Sequence, residues 1–132
     1  MTKRFSLLGL IVALVFVSAS CDLLGLYDIL GSWEIKTNGS SSDSFSLTCS
    51  GQKSSGRISS EALYGGDVIT GTYTVDGETV QLNFDRIKGY YPYESEQYDL
   101  DGKFTWTGSL SGDGTRVTGG NTYSVSWKAT KT

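Results

Sequence analysis

From Gly31 to the C-terminus the chain alternates apolar and polar residues with a period of two, segment after segment, and shows no helical period. That alternation restricts it to strands with one buried and one solvated face, as in antiparallel sheets. In "SWEIKT" Trp33 and Ile35 face one way, and Glu34 and Lys36 the other. "VITGTYTV" sets Ile69, Tyr73 and Val75 against Thr70, Thr72 and Thr74. "TVQLNFD" alternates Val80, Leu82 and Phe84 with Gln81, Asn83 and Asp85. "KFTWTGSL" opposes Phe104, Trp106 and Leu110 to Thr105, Thr107 and Ser109. "TYSVSWKA" does the same with Tyr123, Val125, Trp127 and Ala129.

Turn chemistry joins these segments. Asp76-Gly77 is a two-residue hairpin signal, since Asp-Gly tolerates the positive φ of a type I′ turn. Asp113-Gly114 reads as a second, and "GTYTVDGETV" aligns without gaps to "GSLSGDGTRV" at an offset of 37. About eight strands are expected, near 31–37, 43–49, 54–60, 67–75, 79–87, 102–110, 115–119 and 121–130. The fold class expected is all-β: an antiparallel up-and-down β-barrel of about eight strands, which leaves no exposed sheet edge.

The N-terminus is of another kind. Lys3 and Arg4 precede Phe5–Val17, an uncharged apolar run of 13 residues. A membrane span needs about 20 such residues, whereas a run of about 7–15 behind a basic start, ending in small residues, reads as a secretory signal. Ser18-Ala19-Ser20-Cys21 resembles the lipobox of bacterial lipoproteins, with Ser18 at the place where Leu is commonest. The resemblance implies cleavage before Cys21 and acylation of that cysteine. The domains expected are a signal peptide over 1–20, a lipidated tether and short turn over 21–30, and a barrel over 31–132. Localisation follows as a bacterial cell envelope, with the protein held on a membrane by lipid on Cys21. Two or three acyl chains anchor stably where one gives only marginal binding.

Charge and residue types exclude whole classes of chemistry. The chain carries 11 basic and 14 acidic residues, a net charge of −3, and losing Lys3 and Arg4 with the signal makes it −5. An acidic domain with scattered cations is a poor nucleic-acid binder. There is no histidine, which removes the commonest general base and metal ligand. No cysteine cluster, phosphate loop or nucleophile elbow is present. No catalytic residue, metal site or cofactor is therefore assigned. Asp99 and Asp101, with Gly102, lack the spacing of a calcium loop. Cys49 shares a strand face with Phe45 and Leu47 and reads as a buried apolar residue rather than a reactive thiol.

A family resemblance joins these readings. The apolar segment "DLLGLYDIL" runs into Gly31-Ser32-Trp33 at the head of the first strand. A Gly-x-Trp at that place resembles the opening motif of lipocalins, and the hairpins look like those of small bacterial lipocalin-like lipoproteins. In lipocalins this Trp plugs the closed barrel end beneath an Arg of the last strand; here the last strand offers Lys128. Avidin-like barrels also open with Gly-x-Trp, and lysozyme-inhibitor lipoproteins are only loosely similar.

Two roles are expected. An eight-strand barrel is just wide enough to be filled by side chains or to hold one small ligand. In the first role a small apolar ligand or lipid sits inside, against Trp33, Tyr73, Trp106, Tyr123 and Trp127. In the second, a protein-interaction or hydrolase-inhibitor module uses "GYYPYESEQYDLDG", residues 89–102, as a rim. There Tyr90, Tyr91, Tyr93 and Tyr98 meet an envelope or host protein. Tyrosine suits such a surface because it supplies contact area at low entropic cost.

Overall fold

A computed structural model describes residues 27–38, 43–60, 66–89 and 91–132. The expected signal peptide, the lipobox-like stretch with Cys21, and Tyr90 lie outside the described residues. Eight strands follow one another: β1 Gly31–Asn38, β2 Asp43–Gly51, β3 Ser55–Ser59, β4 Val68–Asp76, β5 Thr79–Ile87, β6 Ser95–Phe104, β7 Leu110–Thr118 and β8 Asn121–Lys131. Each pairs antiparallel with the next, and β1 pairs with β8, closing an up-and-down barrel. Among the described residues no helix is long and apolar enough to cross a membrane.

Parity sorts the side chains as the alternation requires. β5 buries Val80, Leu82, Phe84 and Arg86 and exposes the residues between them. β8 buries Val125, Trp127 and Ala129 in the same manner. With every strand antiparallel to the next, the barrel has two ends. The lower end carries residues 27–30 and the β2–β3, β4–β5 and β6–β7 connections. The upper end carries the β1–β2, β3–β4, β5–β6 and β7–β8 connections.

The structure departs from the sequence reading in the second half. The strand expected at 102–110 is two strand ends and a turn: β6 stops at Phe104 and β7 begins at Leu110. Between them the Thr105, Thr107 and Ser109 hydroxyls bond one another, and Gly108 takes a φ of 85°. Trp106 therefore leaves the inward face and stands 84% exposed in the turn. Residues 95–102, expected as loop, belong to β6.

Asp113-Gly114 is no hairpin either; it lies within β7, where Asp113 pairs with Asp101 on β6 and Ser126 on β8. Glycines serve there because the Trp127 ring lies over β6 and β7. A Cβ on Gly102 would meet that ring, and one on Gly112 would meet the Asp101 carbonyl and the Gly102 backbone. The type I′ turn sits instead at Gly119-Gly120, both with positive φ. At the β4–β5 turn Asp76 pairs with Thr79, so the loop is Gly77-Glu78. Gly77 alone has positive φ there, which fits type II′ rather than I′.

Candidate functional site

At the lower end the segment before β1 packs against the barrel. Ile29 is fully buried, and its carbonyl accepts a 2.7 Å hydrogen bond from Trp33 Nε1. Tyr27 packs on Phe104, with ring centroids 5.3 Å apart. The cation over Trp33 is Lys131, 5.5 Å from the ring, which also donates to the Asp28 carbonyl. Lys128, the residue expected there, lies on the outer face opposite Lys36. Parity decides this: Lys131, two residues beyond inward-facing Ala129, reaches the barrel end, and Lys128 cannot.

Among the described residues, large buried side chains pack the middle. Tyr73 and Trp127 are buried among the core side chains. Tyr73 donates its hydroxyl to the Gln52 carbonyl, and Trp127 donates Nε1 to the carbonyls of Asp101 and Asp113. Each ring is thus held at its polar tip as well as packed, which fixes one orientation. Burial pushes the Cys49 thiol up to about 12, so this residue is a packing element with no reactive thiolate at neutral pH. Surface hollows lie on the outer face, over Gly71, Gly102, Gly112 and Gly114. Asp99 and Asp101 are on that face, and among the described residues no three acidic or cysteine side chains converge as a metal site.

The upper end holds a feature that the sequence reading missed. Three charged side chains point inward: Arg86, Glu96 and Arg116, each at most 7% exposed. Arg86 binds Asp67 Oδ2 through Nε and Nη2, at 2.7 and 2.6 Å. Its Nη1 binds Asp43 at 2.5 Å and Glu96 at 3.3 Å. The guanidinium also lies 4.4 Å from the Phe45 ring centroid, within a cluster of Phe45, Phe84 and Tyr98. Arg116 Nε lies 3.5 Å from the second oxygen of Glu96 and over the Tyr123 ring at 5.2 Å. Asp67 in turn accepts from the Gly89 amide at 3.0 Å.

One buried arginine thereby ties the start of β2, the segment before β4 and β6 together, and Asp67 carries the tie on to Gly89 after β5. Burial works to raise the Asp43 carboxyl, but the hydrogen bond and charge of Arg86 outweigh it and hold that group below its ordinary value. Tyr98 is pushed up by burial and by the neighbouring Glu96 charge.

Above this cluster is the rim. Val68 and Ile87 face each other directly across β4 and β5 on the outer surface, both exposed. The loop leaving Ile87 carries Tyr91 and Tyr93, 84% and 61% exposed, in edge-to-face contact at 6.1 Å. Tyr93 has a φ of 55°, which bulky side chains rarely adopt. The Lys88 amide bonds the Glu94 carbonyl and closes the loop beneath them.

Of the residues expected to line a pocket, Trp33, Tyr73 and Trp127 are buried, Tyr123 is half-buried at the upper end, and Trp106 is outside at the lower end. Of the expected rim, Tyr91 and Tyr93 are exposed, but Tyr98 is a core residue at 1% exposure, because β6 begins at Ser95 and its parity turns Tyr98 inward. The signal for the missed cluster was charge at core parity: Arg86 follows Val80, Leu82 and Phe84 in register. No family model matches the chain, and the searches of curated proteins and of solved structures gave no match.

Proposed function

We propose that this chain is a lipid-tethered recognition module of a bacterial envelope. It is a lipocalin-like barrel filled by its own side chains, and it binds an envelope or host protein, or a hydrolase, through the rim at its upper end. The role is binding rather than catalysis. The observation that carries this reading is the pair of exposed tyrosines on a loop braced from below by a buried ion cluster. Exposed aromatics on a rigid support are the usual anchors of protein interfaces. A braced loop also loses little conformational entropy on binding.

The competing reading, a small apolar ligand or lipid within the barrel, keeps the same fold. It requires space that Trp33, Tyr73 and Trp127 now occupy. Displacing a ring of this size forfeits roughly 2–3 kcal/mol of burial before any ligand contact is made.

Cross-linking separates the two. A photoreactive residue placed at Tyr93 should give a discrete protein adduct in cells, and one placed at Lys128 on the opposite side should not. Tyr91→Ala should weaken the partner so identified by tenfold or more, as for an interface anchor worth about 2 kcal/mol. If the adducts at the two positions are the same, or Tyr91→Ala leaves affinity unchanged, the rim is not the binding surface.

A further inference from the structure

We propose that the turn between β6 and β7 is a second membrane contact, inserting Trp106 into the lipid headgroup region and setting the barrel with its rim away from the bilayer. This rests on the tether reading above. Trp106 is the most exposed tryptophan of the chain at 84%, with little among the described residues to cover it. Its turn holds it outward: the Thr105 amide bonds the Ser109 carbonyl at 2.7 Å, and the Thr105, Thr107 and Ser109 hydroxyls satisfy one another behind it. A large ring with an apolar body and a polar N–H, held outward by a hydrogen-bonded turn, suits a site that is apolar on one side and wet on the other.

Its position names the occupant. The described chain begins at Tyr27, and Tyr27 packs on Phe104, two residues before Trp106. The segment leading to Cys21 therefore departs from the same end of the barrel as the turn. Five residues separate Cys21 from Tyr27, and the six steps between them extend to about 20 Å at most. A lipid on Cys21 thus keeps this end within reach of the bilayer and makes the Trp106 contact intramolecular, so that even a weak contact is populated. Tryptophan prefers the headgroup level, where one edge of the indole is apolar and the other wet. The charges at this end are mixed, Lys53 and Lys103 with Asp76 and Glu78, so the contact does not call for anionic lipid.

The test uses the full lipidated chain in phosphatidylcholine vesicles with brominated acyl chains. Tryptophan emission should be quenched relative to ordinary vesicles, and Trp106→Ser, at an exposed turn position, should abolish that difference while leaving the fold intact. In the Trp106→Ser background a new tryptophan at Tyr93 should stay unquenched, because it reports on the opposite end. Equal quenching with and without Trp106, or quenching of the reporter at Tyr93, overturns the proposal. Labelled fatty acid is followed in parallel. Incorporation that depends on Cys21 with no quenching of Trp106 sinks this contact alone. Incorporation that survives Cys21→Ser removes the tether reading and this contact with it.

Discussion

Replacing Arg86 by alanine is expected to cost about 3–5 kcal/mol of stability, the penalty for breaking a buried ion pair from one side. The loss is large because Arg86 serves Asp43, Asp67 and Glu96 together. Glu96 is 3% exposed and would lose one of its two arginine counter-charges, keeping Arg116. Domains of this size are stable by about 5–15 kcal/mol, so the change takes a large share of the whole. It should lower the melting temperature by more than about 10 °C.

The sign with pH follows from Asp43, whose folded carboxyl is held below its ordinary value. Its contribution is present in full above the ordinary carboxylate range and is lost as pH falls below about 4. That share of the acid sensitivity should vanish in Arg86→Ala. Arg86→Met combined with Glu96→Leu and Arg116→Met should recover part of the stability, because apolar side chains of similar volume in place of all three buried charges cost no desolvation of charge. A melting temperature within about two degrees of wild type for the single variant would show that the cluster does not hold the upper end.

Trp33→Ala is expected to cost a similar amount, about 3–5 kcal/mol, as for large aromatics truncated in a core. Trp33 is 1% exposed and anchors Ile29 through its indole N–H. Its removal opens a cavity and also frees residues 27–30 from the lower end. Trp33→Phe keeps most of the packing but loses the bond to the Ile29 carbonyl, so it should cost only about 1–2 kcal/mol. Chemical denaturation of the three proteins checks the order. Equal midpoints for Trp33→Ala and wild type would mean that the Gly-x-Trp segment does not close the barrel.

How far the sequence could be read depended on what each strand buries. Of the first five strands, four are plain in it because their inward residues are almost all apolar; β3, which buries only Ile58, is weak in it, yet the expected and observed limits of all five agree within two residues. β6 and β7 defeated the same logic for physical reasons. The inward positions of β6 hold Glu96 and Gly102 beside Tyr98 and Leu100, and those of β7 hold Gly112 and Gly114. Glycine facing inward looks like a turn in one dimension, and only the closed barrel explains it: a Cβ would meet the Trp127 ring at Gly102 and the β6 backbone at Gly112 and Gly114. Trp106 kept the alternation through a turn whose order comes from hydroxyl contacts, which leave no period in the sequence.

The candidate site divides in the same way. Tyr91 and Tyr93 were visible as a loop rich in exposed-type residues, whereas the ion cluster beneath them joins residues up to 43 apart and exists only once the barrel closes. Arg86 looked like one more scattered cation, because its partners come from β2, the segment before β4, and β6.

The central claim is that the barrel is filled by its own side chains and that recognition happens outside it. Native mass spectrometry of the protein expressed from the full sequence and extracted under mild conditions tests this most directly. The account predicts the mass of the polypeptide from Cys21 with its acyl groups and no further small molecule. A stoichiometric extra mass, released together with exposure of Trp127 to an aqueous quencher, would contradict it and place the binding site inside the barrel.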